Sequence, residues 1–148
     1  MRYVHTNIIA RDAEKVIEFY KTVFQCRSFG NKRDLKGDWV DRLTGIKDAH
    51  IVGEHLLLPG YGVHLPTLEI FSYGEMPGAK EALINEPGIA HLAFEVENVE
   101  ATLEALVKAG GTRLGEVVTA DYPDKTAKLV YARDIEGNIV ELQSWHKK

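Results

Sequence analysis

The chain of 148 residues has the length of one ordinary domain, and its 45% hydrophobic and 27% charged residues are typical of a soluble globular protein. Its 18 Lys and Arg residues against 22 Asp and Glu residues give a net charge of −4, which argues against nucleic-acid binding through a basic face. The single cysteine, Cys26, excludes an intrachain disulfide. No apolar run reaches the roughly 20 residues of a membrane helix, and the N-terminal residues lack a signal-peptide pattern, so we expect a cytoplasmic protein with no membrane partner.

The first half opens with a strand and an amphipathic helix. Residues 3–10 are β-branched and aromatic, which predicts the strand, and Asp12 can cap the helix that follows. Apolar residues of this helix recur at the spacing of one buried face: Val16, Phe19, Tyr20, Val23 and Phe24. Cys26 is interpreted as a small buried hydrophobic residue. Residues 31–48 predict a strand followed by a short helix that ends at Gly45.

Two further strands and a connection complete the first half. Strands are predicted near residues 51–58 and over residues 67–73. Residues 74–88 are rich in Gly and Pro, and we expect them to connect the halves, with one helical turn around residues 79–83.

The second half repeats this order. Residues 89–96 predict a strand and residues 99–109 a helix, which the Gly110-Gly111 pair terminates. The buried face of this helix is expected to hold Val99, Leu103, Leu106 and Val107. Residues 127–133 and 139–145 predict strands on either side of a turn formed by Asp134, Ile135, Glu136, Gly137 and Asn138. Each half is therefore a strand–helix–strand–strand–strand unit, with helices on one face of its sheet.

Residues that carry chemistry stand at matched positions of this repeat. His5 and His91 lie in the opening strands, whereas Glu69 and Glu141 lie in the closing strands between apolar residues. Because side chains alternate along a strand, all four are expected on the face away from the helices. Singly, each residue could be a solvated Glu or a hydrogen-bonded core His. Together, two imidazoles and two carboxylates favour a divalent metal ion, namely Ni, Co, Mn or Fe(II), or alternatively Zn.

These four residues and the stretch ARDIEGNIVEL at 132–142 resemble the vicinal oxygen chelate superfamily. This superfamily includes glyoxalase I, methylmalonyl-CoA epimerase, extradiol dioxygenases, and fosfomycin and bleomycin resistance proteins. The resemblance covers essentially the whole chain and implies a single α+β, glyoxalase-like domain over residues 1–148. It implies two βαβββ modules, residues 1–73 and 89–148, joined by residues 74–88 and forming a cup-shaped mixed sheet around the metal. It also implies a homodimer.

The ligand set His5, Glu69, His91 and Glu141 is most similar to that of glyoxalase I, and the epimerase differs by a Gln where Glu69 stands. The resemblance implies a metal-dependent lyase or isomerase with one divalent ion per site. Such an enzyme transfers a proton beside the carbonyl of a small-molecule substrate through a metal-bound enediolate. The resemblance further implies that Glu141 is the base and that Glu69 delivers the proton on the other side.

The substrate and two alternative functions stay open. Glyoxalase I carries an Arg and an Asn for glutathione where this chain has Ile9 and Tyr73. A glutathione adduct, another thiol adduct, a CoA ester and a 2-oxo acid are therefore all candidates. An Fe(II) extradiol-type dioxygenase would use the two histidines and Glu141, although Glu69 would then fill a position that oxygen chemistry needs open. A metal-free binding protein of the bleomycin-resistance type is the other alternative.

The remaining histidines and aromatic residues are assigned to the surface or to packing. Four histidines have no symmetric partner and are expected on the surface or in loops: His50, His55, His64 and His146. Five aromatic residues could line a ligand pocket, although core or surface packing is the expected role of most of them: Trp39, Phe71, Tyr73, Tyr131 and Trp145.

Overall fold

The computed structural model describes residues 1–62, 66–78 and 80–148. The chain divides into two compact units, Met1–Ala79 and Lys80–Lys148. The described residues form two sheets and three helices, which confirms the predicted α+β class. None of the helices in these ranges is long and apolar enough to cross a membrane.

The first unit is a four-stranded sheet with two helices. Its elements are β1 (His5–Ile9), α1 (Ala13–Phe24), β2 (Arg27–Lys36), α2 (Asp38–Thr44), β3 (His50–Leu57) and β4 (Thr67–Tyr73). The strand order is β1-β4-β3-β2, with β1 parallel to β4 and the other neighbours antiparallel. The predicted strand, short helix and stop at Gly45 are confirmed, because α2 ends at this glycine in a left-handed conformation.

Helix α1 covers one face of this sheet. Asp12 caps it as predicted by accepting a hydrogen bond from the Lys15 N–H at 3.1 Å, and the five residues of its predicted apolar face are all buried. The Ala13 N–H donates to Ser72 Oγ at 2.9 Å, which places α1 on the face of β4 that carries Ser72. Because side chains alternate along β4, Glu69 points to the opposite face.

Helix α2 covers part of that opposite face, which corrects the expectation that the helices of each unit lie on one face of its sheet. Val40 of α2 packs with Ala49, Ile51 and Phe71 in a buried cluster. At Gly53 the chains of β3 and β4 approach so closely that a Cβ atom would lie 2.0 Å from the Ile70 carbonyl oxygen. Glycine therefore permits the β3–β4 contact that aligns this part of the sheet.

The second unit repeats the arrangement with five strands and one helix. Its elements are β5 (Leu92–Glu95), α3 (Val99–Lys108), β6 (Thr112–Arg113), β7 (Val118–Asp121), β8 (Lys125–Arg133) and β9 (Ile139–Lys147). The order is β5-β9-β8-β6, and β7 also pairs with β8. Strand β5 is parallel to β9, as β1 is to β4. The predicted turn between β8 and β9 is confirmed, because Asp134 Oδ1 accepts hydrogen bonds at 2.9 Å from the N–H groups of Glu136 and Asn138.

Several local predictions are confirmed or corrected. Cys26 is buried as expected. Val107 was placed on the buried face of α3, but it is about half exposed because it lies at the edge of the apolar stripe near the helix end. Residues 80–83 are not helical, which corrects the predicted helical turn, and Ala79 lies outside the described residues. The short strands β6 and β7 were not predicted.

Candidate functional site

The two predicted glutamates have equivalent strand pairings, each within its own sheet. Asn7 of β1 faces Glu69 of β4, and Ala93 of β5 faces Glu141 of β9. In each unit the predicted histidine lies two residues before the residue that faces the Glu. His5 therefore points to the same face of its sheet as Glu69, whereas His91 lies just before β5 and not within that strand.

Each unit brings its predicted His and Glu together. His5 Nε2 lies 3.3 Å from Glu69 Oε2, and His91 Nε2 lies 3.0 Å from Glu141 Oε2. Two ligands that bind one ion at about 2.1 Å and at right angles to each other are roughly 3.0 Å apart. Both pairs therefore have a spacing that suits neighbouring ligands of a metal ion as well as a direct hydrogen bond.

The first unit adds a residue that sequence analysis missed. His55 was expected on the surface or in a loop, but it lies in β3 directly opposite Glu69. Its Nε2 is 2.9 Å from Glu69 Oε1, and its side chain is only 18% exposed. The ring also meets the rings of His5 and Phe71 edge to face, with centroids 6.1 and 5.9 Å apart.

The surroundings of His55 favour its neutral form. Burial lowers the pKa of His55 below its ordinary value, although the Glu69 carboxylate opposes this shift. A neutral imidazole has one N–H and one acceptor nitrogen. Thr67 Oγ1 lies 3.4 Å from Nδ1 and can donate to it, so the Nε2–H group is the one that donates to Glu69.

The second unit has an aromatic residue at the matched position. Tyr131 of β8 faces Glu141, and its ring centroid lies 5.2 Å from that of His91. Within the described residues, the buried Nδ1 of His91 has no hydrogen-bond partner. The His91 ring is therefore oriented by Glu141 on one side and by the Tyr131 ring on the other. Tyr131 packs as predicted, but it packs against a candidate ligand.

The other histidines lie apart from these pairs. His50 is partly exposed in β3 and lies 2.8 Å from Asp34. His146 is exposed near the end of β9, with Nε2 3.2 Å from Ser144 Oγ. The prediction for His64 falls outside the described residues.

The predicted aromatic residues have varied surroundings. Trp39 is about half exposed, whereas Phe71 is buried in the α2 cluster and Tyr73 packs against that cluster. The Trp145 ring lies beside that of Tyr122 and carries the Lys125 ammonium 4.0 Å above its centroid. The contacts of Phe71, Tyr73 and Trp145 agree with the expected packing roles.

A cavity of about 610 Å³ in the first unit lies on the α1 side of the sheet, away from Glu69. Its lining includes Glu14, Lys32, Glu54 and Ser72. Glu14 pairs with Lys32 at 3.0 Å, and Glu54 accepts a hydrogen bond of 2.6 Å from Ser28. The residues of the matched His–Glu pairs are therefore not part of the lining of this cavity.

The donor atoms of the described His–Glu pairs suit a divalent metal. In the part of the chain that the structure describes, no group of three or more His, Cys, Asp or Glu side chains is arranged to hold a metal ion. Each unit has, within itself, one imidazole nitrogen and one carboxylate oxygen at the spacing of neighbouring metal ligands. Such mixed nitrogen and oxygen donors fit first-row divalent ions.

Comparison with solved structures identifies the same fold. A glyoxalase family protein from Bacillus cereus is 23% identical with a TM-score of 0.82, over 98% of this chain and 94% of that one. A glyoxylase/bleomycin resistance protein/dioxygenase domain from Frankia sp. EAN1pec is 19% identical with a TM-score of 0.58, over 99% and 98%. The fosfomycin resistance protein FosX from Listeria monocytogenes, solved with Mn(II) and sulfate, is 16% identical with a TM-score of 0.53, over 97% and 90%.

The sequence of the chain also matches a known protein family. No curated protein matches this chain. A family model matches residues 2–142, which is nearly the whole chain. Together with the glyoxalase-like fold, this match shows that the chain belongs to the Glyoxalase/Bleomycin resistance protein/Dioxygenase superfamily.

Proposed function

We propose that this protein is a metal-dependent lyase or isomerase of the glyoxalase I type. It transfers a proton beside the carbonyl of a small-molecule substrate through an enediolate. The observation that carries the proposal is the matched pair of His and Glu in each unit, at the spacing of neighbouring ligands. His5, Glu69, His91 and Glu141 would hold one divalent ion, namely Ni, Co, Mn, Zn or Fe(II).

The bound ion would act as a Lewis acid and stabilise the negative charge that develops on the substrate oxygens. Glu141 would abstract the proton, since a general base must reach it directly. Among the described residues, His91 is the hydrogen-bonding partner of Glu141, whereas Glu69 has His5, His55 and Asn7 around it. The carboxylate with fewer partners is the freer to turn toward a substrate proton. Glu69 would then return the proton on the other side.

We propose a cytoplasmic homodimer as the working form, and the homodimer is what the family resemblance implies. Two His–Glu pairs per chain allow the ion to be held within one chain or across a dimer. The number of bound ions per chain, measured together with the oligomeric state, tests these arrangements. One ion per chain agrees with either of them, whereas two ions per chain would mean that each pair binds its own ion.

The test is solvent-deuterium incorporation followed by NMR. The protein is stripped, reloaded with each ion and incubated in D₂O with hemithioacetals of a 2-oxoaldehyde, acyl-CoA esters and 2-oxo acids. We expect deuterium at the carbon beside the carbonyl in one substrate class, only with metal and not in Glu141→Gln. Metal binding without exchange in any of these classes would contradict the proposed reaction.

Two alternatives give different results in the same samples. Oxygen consumption with a catechol by the Fe(II)-loaded protein would identify the extradiol-type alternative. Absence of metal binding, with tight binding of an aromatic ligand by the stripped protein, would identify the metal-free binding protein.

A further inference from the structure

Both oxygens of the Glu69 carboxylate have partners in the first unit. Oε2 lies 3.3 Å from His5 Nε2 and accepts a hydrogen bond of 3.3 Å from Asn7 Nδ2. Oε1 lies 2.9 Å from His55 Nε2. The two histidines thus approach different oxygens of one carboxylate.

His55 is itself held from several sides. Its position in β3 is directly opposite Glu69, so the backbone ladder sets the separation of the two side chains. Thr67 Oγ1 is within 3.4 Å of Nδ1, and the Phe71 ring packs against the imidazole. Its orientation toward Glu69 is therefore determined by the fold.

We infer that His55 is a positioning residue that holds Oε1 of Glu69 and thereby directs Oε2 to the metal beside His5. This inference rests on the proposed metal-dependent function. A ligating carboxylate keeps its orientation through hydrogen bonds to residues outside the ligand set, and loss of such a partner weakens metal binding by about 10- to 100-fold.

The contacts of His55 suit a residue that positions Glu69 rather than a further metal ligand. The atoms of this unit that would hold the ion are His5 Nε2 and Glu69 Oε2. His55 Nε2 instead meets Oε1 at hydrogen-bond distance, and Thr67 Oγ1 lies 3.4 Å from the other ring nitrogen. His55 therefore acts on the ion through Glu69.

The experiment compares three variants of the full chain. His55→Leu removes the donor at similar volume, His55→Gln keeps an N–H donor, and His50→Leu removes an imidazole elsewhere in the same strand. Co(II) affinity is measured by competition with a chromophoric chelator, and the visible spectrum of bound Co(II) reports the ligand geometry. Thermal unfolding of the metal-free proteins reports folding separately.

We expect His55→Leu to weaken Co(II) binding by about 10- to 100-fold and to change the Co(II) spectrum, while the metal-free protein stays folded. His55→Gln should recover most of the affinity, and His50→Leu should match the parent. Equal affinity and spectrum for His55→Leu and the parent would overturn the positioning role alone. Equal weakening by His55→Leu and His55→Gln would also overturn it. A parent chain that binds no metal would overturn the proposed function and this inference together.

Discussion

Glu69 and Glu141 occupy equivalent positions in their sheets but face different residues across the neighbouring strand. Glu69 lies opposite His55, which hydrogen-bonds to it, whereas Glu141 lies opposite Tyr131, whose ring packs on His91. The duplicated unit therefore holds one carboxylate at both oxygens and leaves the other with a single described partner. This asymmetry is the physical basis on which we assign different roles to the two groups.

The variant Glu141→Gln removes the proposed base while keeping the size of the side chain. Turnover of the true substrate, measured at saturating metal, should fall by about 100-fold or more, because an amide cannot accept the proton. Glu69→Gln serves as the comparison and should both weaken metal binding and slow the return of the proton to the product. Full turnover by a metal-loaded Glu141→Gln protein would contradict the assignment of the base.

A second prediction concerns the residue opposite Glu141. Tyr131→His places an imidazole opposite Glu141, as His55 stands opposite Glu69, and should restrict the movement of that carboxylate. We expect Co(II) binding to strengthen about threefold and turnover to fall about tenfold. The control is Tyr131→Phe, which keeps the ring against His91 and should change neither. Unchanged turnover in Tyr131→His would show that Glu141 does not need this freedom.

The close approach at Gly53 gives a stability prediction. In Gly53→Ala the new Cβ would meet the Ile70 carbonyl oxygen and the Phe71 ring, so β3 and β4 must separate. We expect a loss of about 2 kcal/mol or more in the free energy of unfolding, measured by urea titration. Gly78→Ala is the matched control, since a Cβ there meets nothing within 4 Å, and it should change stability by less than about 0.5 kcal/mol.

Cys26 provides a prediction about pH. Burial raises the pKa of the Cys26 thiol to about 12, so almost none of it is thiolate at pH 8. The native protein should react with a thiol reagent at least about 100-fold more slowly than the urea-unfolded chain, which exposes its single thiol. Reaction of the native thiol should accelerate as the pH rises toward its pKa. Rapid labelling of the folded protein at pH 8 would show that Cys26 is accessible.

Local patterns were sufficient for the main elements of the fold. The apolar spacing in α1 and the cap at Asp12 predict that helix correctly, because both depend on residues within a few positions of each other. Val107 was misassigned because periodicity marks the centre of an apolar stripe better than its edge. The two-residue strand β6 is too short to carry an alternating pattern, so only its pairing with β8 defines it.

The candidate site was only partly accessible to sequence analysis. The repeat identified His5, Glu69, His91 and Glu141, because equal residue types recur at equal places. His55 has a tyrosine, Tyr131, at its matched position and so gave no such signal. Its place opposite Glu69 depends on the β3–β4 register, which cannot be read from either strand alone.

Metal content measured by elemental mass spectrometry tests the central claim most directly. The chain is purified without chelator, stripped, and reloaded with Ni, Co, Mn, Zn or Fe(II). We predict about one ion per chain, lost in Glu69→Ala and His91→Ala but retained in His146→Ala, whose imidazole lies outside the pairs. Failure to bind any ion under every loading condition, or equal binding by the parent, Glu69→Ala and His91→Ala proteins, would contradict the account.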